Sequence, residues 1–423
     1  MEKYAAEKFE VAVIGAGPAG MMAAIKAAET GARVVLVEKN ERPGVKLLIT
    51  GKGRCNICQA EFNLSRLAKE YGKNGGFLVA PFSVFGPRET IDFFENKGVR
   101  IKVERGGRAF PLSDRAEDVL WALEKSLEKN KVEIFYNTEV VDWRKRGKKI
   151  TKIITKRGEI VADNYILCTG GKSYPVTGST GDGYNWLKSL GHKVVEPRPA
   201  LVPIRIKESW PKDCQGLGLK NVEIGVYQNG RKKDFRFGEA LFTHFGLSGP
   251  IVLDMSKKIG ELLKTGEVKL ALDLKPALDF ETLDSRLQRD FEKYVNKMFK
   301  NSLEDLLPQT LIPVFIGLSG INPDREVNQI TREERHGLVK LLKGMEMTVA
   351  GLLGYESAIV TSGGVSLAEV DNKTMKSKLI DNLYFAGEIL DLDGPSGGYN
   401  LQVCWTTGQI AGAGAVRIIN RKG

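Results

Sequence analysis

The stretch FEVAVIGAGPAGMMAAIKAAETGARVVLVEKN, residues 9–40, decides the fold. Phe9 to Ile14 form a short apolar run suited to a strand. Gly15, Gly17 and Gly20 follow with GxGxxG spacing. Residues 21–30 are strong helix formers, Gly31 stands where a helix stops, and residues 33–37 read as a second strand ending at Glu38. The pattern predicts strand, turn, helix and strand, the unit that binds a dinucleotide. Gly15 permits the tight turn, Gly17 lets a pyrophosphate reach the backbone, and Gly20 lets the helix pack on the strand. The helix start around Ala19 offers unpaired N–H groups to phosphate. Glu38, followed by Lys39, is placed to accept hydrogen bonds from an adenosine ribose.

A carboxylate at position 38 repels a 2′-phosphate, which favours FAD or NAD over NADP in this site. The next segment, RPGVKLLITGKGRCN (42–56), is long, basic and rich in glycine. A larger ligand, FAD, has use for it, with Lys46, Lys52 and Arg54 as partners for its phosphates. Farther on, VEIFYNTEVVDW (132–143), KITKIITKRG (149–158) and EIVADNYILCTGG (159–171) alternate as strands, the last closing on Thr169, Gly170 and Gly171 ahead of GSTGDG (178–183). Near the C-terminal end, LIDNLYFA (379–386) reads as a strand closing on Gly387 and Glu388, followed by a glycine-rich loop and a helix of small residues. This is a second half-site. The two halves lie far apart in the chain and must meet in space, with the intervening residues inserted.

The GxGxxG unit, the CTGG strand end, the GDG element and the FAGE strand resemble the two-dinucleotide-binding-domain flavoproteins of the glutathione reductase superfamily. Three strings narrow the likeness: ITGKGRCNI (49–57), FTHFGLSGP (242–250) and GEILDLDGPSGGYNLQVCW (387–405). With them the chain resembles a bacterial NAD(P)/FAD-dependent oxidoreductase family. Members are described as aminoacetone-oxidase-like, as bile-acid enone reductases or as ribosomal RNA dihydrouridine synthases. The resemblance implies an α/β fold: a split Rossmann-like FAD-binding domain with an inserted β-barrel domain and a small helical insert. It implies FAD contacts from Gly15, Gly17, Gly20, Glu38, Gly51, Gly53, Arg54, Cys55, Asn56 and Val140, and from Gly170, Glu388, Gly398, Asn400 and Leu401. Cys58 departs from the family pattern after GRCN, so kinship does not imply a redox CxxC.

Residues 1–195 and 361–423 are therefore assigned to the FAD-binding domain. Short alternating strands such as NVEIGVYQ (221–228) and VKLALDL (268–274) read as a β-barrel or sandwich, and the inserted β-barrel domain is assigned to 196–275 and 345–360. Residues 276–344 turn helical, with Leu283, Leu287, Phe291, Tyr294, Val295 and Met298 on one face. Composition agrees with a globular chain: 42% hydrophobic and 27% charged residues exclude collagenous, disordered and multi-span membrane classes. Five scattered cysteines do not form a disulfide framework and suit a reducing, cytoplasmic setting. The uncharged run 11–25 is broken by glycine and proline. It follows a mixed leader, with Glu2, Glu7 and Glu10 against Lys3 and Lys8, and does not read as a signal peptide.

Flavin chemistry on an alkene needs a proton as well as a hydride. His244, one of three histidines, and Cys55, in the loop expected beside the flavin, are the candidate donors, with structural roles as the alternative for each. Tyr399 and Asn400 are candidates for contact with flavin or substrate. No second CxxC or neighbouring histidine completes a metal set around Cys55 and Cys58. No second GxGxxG serves NAD(P)H, which is then a transient reductant. The net charge of +11 is concentrated in RKRGKKITKIITKR (144–157), beside Trp143, and in Arg231, Lys232, Lys233 and Arg236 (231–236), interleaved with Phe235 and Phe237. Such clusters follow a phosphate backbone or are solvated turns. The leading expectation is reduction of a uridine in 23S ribosomal RNA to dihydrouridine. Reduction of a small enone, oxidation of a small amine, or RNA binding with a structural FAD are the alternatives.

Overall fold

The computed structural model describes residues 8–417, so the leader charges at Glu2, Lys3 and Glu7 lie outside the described residues. Two compact units divide the chain: residues 8–199 with 358–417, and residues 200–357. Among the described residues no helix is long and apolar enough to cross a membrane.

The first unit is built on a parallel sheet of five strands. Their order is Leu383–Phe385, Ala162–Leu167, β1 (Phe9–Ile14), β2 (Val34–Val37) and Glu133–Phe135. Val11, Ala12 and Val13 of β1 are fully buried. A central strand covered on both faces is apolar along its core: VVLV is so throughout, and FEVAVI is so apart from the half-buried Glu10 near its start. Between them runs α1 (Pro18–Glu29), with Pro18 in its first turn and Gly31, at φ +91°, just beyond its end. Eight of its residues are buried, from Ala19 to Ala27. The helix is covered on its second side by the C-terminal helix Tyr399–Arg417. Gly408 and Gly412 make that contact possible: a Cβ would lie 2.6 Å from the Ala19 carbonyl oxygen at one and 2.4 Å from that of Ala23 at the other. Glycines one helical turn apart thus join the two ends of the chain backbone to backbone.

The segment VEIFYNTEVVDW does not form one strand. It divides into Glu133–Phe135 in the parallel sheet and Val140–Arg146 in a three-stranded antiparallel sheet with Lys149–Thr155 and Gly158–Ile160. The break falls at Asn137, whose φ is +51°. There the Asn137 N–H donates to the Asn40 carbonyl and the Thr138 N–H to that of Glu38. The crossing brings Thr138 and Val140 to the end of β2.

The second unit is a closed six-stranded barrel in the order Ile204–Ile206, Gly246–Ser248, Arg231–Thr243, Gly218–Gln228, Lys269–Asp273 and Met345–Leu352. Helical segments share its core: Leu283, Leu287, Phe299 and Phe315 join Ile224, Leu270 and Leu272 in one buried cluster. The helix Phe280–Lys293 ends sooner than the apolar spacing predicts. Tyr294 leaves helical geometry, and Val295 and Met298 are exposed. The chain there pairs instead with residues 325–327, through Phe299 N–H to the Arg325 carbonyl and Val327 N–H to the Lys297 carbonyl.

Candidate functional site

The three glycines of the first turn answer to three different demands. Gly15 has φ +99°, and a Cβ on it would lie 2.6 Å from the Cys168 carbonyl oxygen. Backbone conformation and the neighbouring strand both require glycine there. A Cβ on Gly20 would lie 1.8 Å from the Gly15 carbonyl oxygen, so helix packing requires the second. Gly17 is different. Its φ of −75° and ψ of −178° suit any residue, and nothing in the protein lies within 4 Å of a Cβ placed on it. No demand internal to the protein explains this glycine; a ligand approaching the backbone at the N-terminus of α1 does.

Gly17 opens on a solvent-accessible cleft lined from both halves of the first unit. Of the expected residues, Gly15, Gly17, Ala19, Glu38, Lys39, Lys46, Val140, Thr169, Gly170 and Glu388 line it. Both half-sites thus face one space. Glu38 is held in place there: one carboxylate oxygen accepts the Ala16 N–H at 2.7 Å and the other the Asn40 N–H at 2.9 Å. Lys39 donates to Thr180 at 2.6 Å and to Asp182 at 2.9 Å. Lys46 and Glu388 pair with each other at 2.9 Å. Glu388 also accepts from the Ser173 hydroxyl (2.9 Å) and the Thr361 N–H (2.6 Å). The pair therefore ties the loop after β2 to the two later strand ends. Thr138, Ser179, Thr180 and Trp186 also line the cavity, and the sequence reading missed them. Ser179 and Thr180 belong to GSTGDG, where the signal was present. Thr138 carried none.

The remaining expected residues do not line this cleft, and for most of them the structure shows another task. Gly20 is used in packing. A Cβ on Gly171 would strike the Thr361 hydroxyl at 2.3 Å, one on Gly387 the Ala19 Cβ at 2.7 Å, and one on Gly398 the Cys58 carbonyl carbon at 2.3 Å. Gly51, with φ +57°, and Gly53, with φ +82°, shape the turn that leads to Cys55. The Asn400 amide is consumed by its own loop, accepting from the Gly394 N–H and donating to the Gly394 and Pro395 carbonyls. Tyr399 packs against Tyr71, whose hydroxyl donates to the Tyr399 carbonyl at 2.8 Å. Leu401 is a partly buried packing residue. Arg54 does not face a phosphate site: it forms ion pairs with Glu104 and Asp114 and lies 4.0 Å over the Phe110 ring. Hydrogen bonds from Arg54 to Glu104, and from Lys102 and Arg54 to Asp114, hold both carboxyls below the ordinary carboxylate range.

A model of the family described as HI0933-like protein Rossmann domain matches residues 9–414. The chain belongs to this HI0933-like family. Curated relatives match almost end to end. The 3-dehydro-bile acid delta(4,6)-reductase of Clostridium scindens is 32% identical over 96% of this chain and 98% of its own. The ribosomal RNA dihydrouridine synthase of Escherichia coli is 31% identical over 95% and 96%. Among solved structures, the 3-ketosteroid-delta4-(5alpha)-dehydrogenase of Rhodococcus jostii covers 97% of this chain and 98% of its own. It has a TM-score of 0.54 at 14% identity, which establishes likeness of fold.

As a member of the HI0933-like family the protein is an FAD-dependent oxidoreductase, and its residues fit that cofactor. Besides Gly17, the Thr169 hydroxyl on the cavity wall is buried without a partner, as is the Asn56 side-chain oxygen in the loop after β2. Buried polar atoms of this kind call for a partner, and FAD is rich in complementary groups. The two proton-donor candidates fare differently. Cys55 is fully buried in the core with φ +59°, and burial pushes its thiol up to about 12. Burial pushes Cys58 up to about 12 as well. His244 is exposed on the turn between Arg231–Thr243 and Gly246–Ser248, its ring 4.8 Å from that of Phe245.

The basic segment 144–157 is the strand pair Val140–Arg146 and Lys149–Thr155 with the turn that follows. Three of its cations are neutralised: Arg144 by Asp142, Lys152 by Glu159 and Lys156 by Glu139. Trp143 is buried against Tyr165 and Trp186, so its ring is not offered to a base. Lys145, Arg146, Lys148 and Lys149, around the turn, are exposed.

Proposed function

We propose that the protein reduces a carbon–carbon double bond conjugated to a carbonyl, and that its substrate is a uracil of ribosomal RNA, giving dihydrouridine. The bile-acid reductase and the dihydrouridine synthase act on chemically related targets. The uracil C5=C6 bond is conjugated with the C4 carbonyl, as the ring double bonds of an unsaturated 3-oxo bile acid are with theirs. Bound FAD, reduced by NAD(P)H, supplies the hydride for one alkene carbon. The chain supplies a cradle through Gly17, a ribose acceptor in Glu38 and a proton for the second carbon. Of the two candidate donors, Cys55 is sealed in the core of the first unit, and His244 is exposed on the second.

The observation that carries the RNA reading is the set of exposed cations that form no ion pair among the described residues: Lys145, Arg146, Lys148 and Lys149 at one turn, and Arg231, Lys233 and Arg236 on the strand Arg231–Thr243. A polyanion matches this arrangement. Mass spectrometry of ribosomal RNA from cells lacking the protein tests it: loss of one dihydrouridine is expected, and unchanged dihydrouridine overturns the substrate. The second reading, a small enone, draws on the neutralised cations of 144–157 and the buried Trp143. It predicts NAD(P)H-dependent turnover of a 3-oxo-4-ene steroid in the absence of RNA.

A further inference from the structure

The outer face of the barrel carries a row of aromatic side chains that the flavin chemistry does not use. In the strand pair Gly218–Gln228 and Arg231–Thr243, Phe235 lies opposite Gly225, Phe237 opposite Glu223 and Lys232 opposite Tyr227. On the next strand, Gly225 pairs with Ala271 and Tyr227 with Lys269. The alternating residues Ile224, Val226, Leu270 and Leu272 are buried in the barrel core, so this set points outward. Phe235 is 53% and Phe237 59% exposed. Gly225 leaves room for the Tyr227 ring, which a Cβ there would meet at 2.8 Å. Lys232 lies 4.4 Å over the Phe235 ring.

From this placement we infer that the outer barrel face is a stacking platform for unpaired bases, with Phe235 and Phe237 each receiving one. The inference rests on the RNA reading above and names the element that would hold the strand. Residues two apart on a strand stand about 7 Å from each other, twice the roughly 3.4 Å between successive bases along one strand of a duplex. Rings so spaced cannot cover neighbouring bases of a stacked helix; they suit a strand whose bases are splayed apart, the form in which RNA sequence is read on sheet faces. Arg231 and Lys233, on the same strand just before Phe235, are exposed and form no ion pair among the described residues, which supplies charge for the connecting phosphates. Glu223, on the platform beside Phe237, is neutralised by Lys232 at 2.8 Å.

The test uses the FAD-loaded protein and a fluorescently labelled single-stranded oligouridylate, read by anisotropy across a salt series. Each of Phe235→Ala and Phe237→Ala is expected to weaken binding about tenfold and to leave the salt dependence unchanged. Phe237→Trp is expected to restore affinity. Arg231→Ala with Lys233→Ala is expected to flatten the salt slope. Wild-type affinity in both phenylalanine variants overturns the platform and leaves the RNA reading standing. Preference for a duplex of equal length also overturns it. Absence of any RNA binding by the wild-type protein at low salt removes the RNA reading, and the platform with it. Binding to phosphatidylglycerol vesicles that depends on both rings, with none to RNA, assigns the face to a membrane and overturns the inference.

Discussion

Alanine at Gly17 and at Gly20 should give opposite phenotypes, because one glycine serves the ligand and the other the fold. At Gly20 the new methyl would lie 1.8 Å from the Gly15 carbonyl oxygen, and the contact must open by about 1.2 Å to reach the 3.0 Å below which such contacts essentially never occur. Both partners are backbone, so α1 must move off β1. Overpacking of this kind costs about 1–3 kcal/mol, and a clash between backbones belongs at the upper end. At Gly17 the methyl meets nothing within 4 Å. The only cost to the free protein is alanine's weaker capping, below about 1 kcal/mol. The methyl does occupy the approach to the helix N-terminus. Losing one charge-assisted bond there, worth about 1.5–3 kcal/mol, weakens FAD binding about 10- to 100-fold. Thermal unfolding of the apoproteins, with flavin titration by fluorescence quenching, separates the two. Gly20→Ala should melt well below wild type. Gly17→Ala should melt near wild type and lose most of the rise that added FAD produces. If Gly17→Ala binds FAD as wild type does, or destabilises the apoprotein as much as Gly20→Ala, the division of roles among the glycines is wrong.

The ion pair Lys46–Glu388, with side chains 21% and 17% exposed, should couple measurably: a double-mutant cycle of Lys46→Met and Glu388→Gln should give about 1–3 kcal/mol, and additive losses would refute the linkage of the strand ends. His192 is buried, with one ring nitrogen 2.9 Å from Glu369 and the other 3.0 Å from the Ser377 hydroxyl, and burial lowers its pKa despite Glu369. The unfolded chain therefore takes up a proton near the ordinary value of about 6.5 while the folded chain does not. Stability should fall as pH drops below that value, down to the lowered folded pKa. Denaturant unfolding at pH 7.5 and 5.5 should show that loss in wild type and a smaller one in His192→Gln; equal losses would count against it. Burial keeps Cys55 and Cys58 protonated, so mass spectrometry after iodoacetamide treatment at pH 8 should find neither alkylated in the folded protein. Burial pushes Cys404 up to about 12 as well, but it is partly exposed on the cavity wall, so slow labelling should begin there and FAD should suppress it. Early labelling of Cys55 would show that its loop opens.

What could be read from the sequence is what depends on neighbours along the chain. The βαβ unit of residues 9–38 is specified by local spacing of glycines, helix formers and apolar runs, and the acid at its end follows from the same count. The late strand closing on Gly387 and Glu388 was legible for the same reason. Partners distant in sequence were not. Arg54 reads as a phosphate ligand until Glu104 and Asp114, more than 45 residues away, neutralise it. Trp143 reads as a stacking residue until Tyr165 and Trp186 close over it. Thr138 reaches the cavity through the left-handed Asn137, a conformation that asparagine tolerates and that alternating apolar residues conceal. The helix 280–293 stops because a more remote segment competes for its continuation, and helical periodicity does not register that competitor.

The glycine seam between α1 and the C-terminal helix also sets a timetable. On a ribosome, β1, α1 and β2 emerge first, yet the strand and helix that complete their sheet and cover α1 come last. Between residue 199 and residue 417 lie roughly 10–40 s of elongation at about 5–20 residues per second. Throughout that interval the apolar outer side of α1 has no permanent cover, while the barrel, a continuous stretch of chain, is free to fold as it emerges. The nascent chain is most exposed to misassembly in this window, and trigger-type chaperones or early FAD capture would have the greatest effect there. Variants at Gly408 or Gly412 should therefore reveal themselves first as a reduced soluble yield, before any change in the purified enzyme.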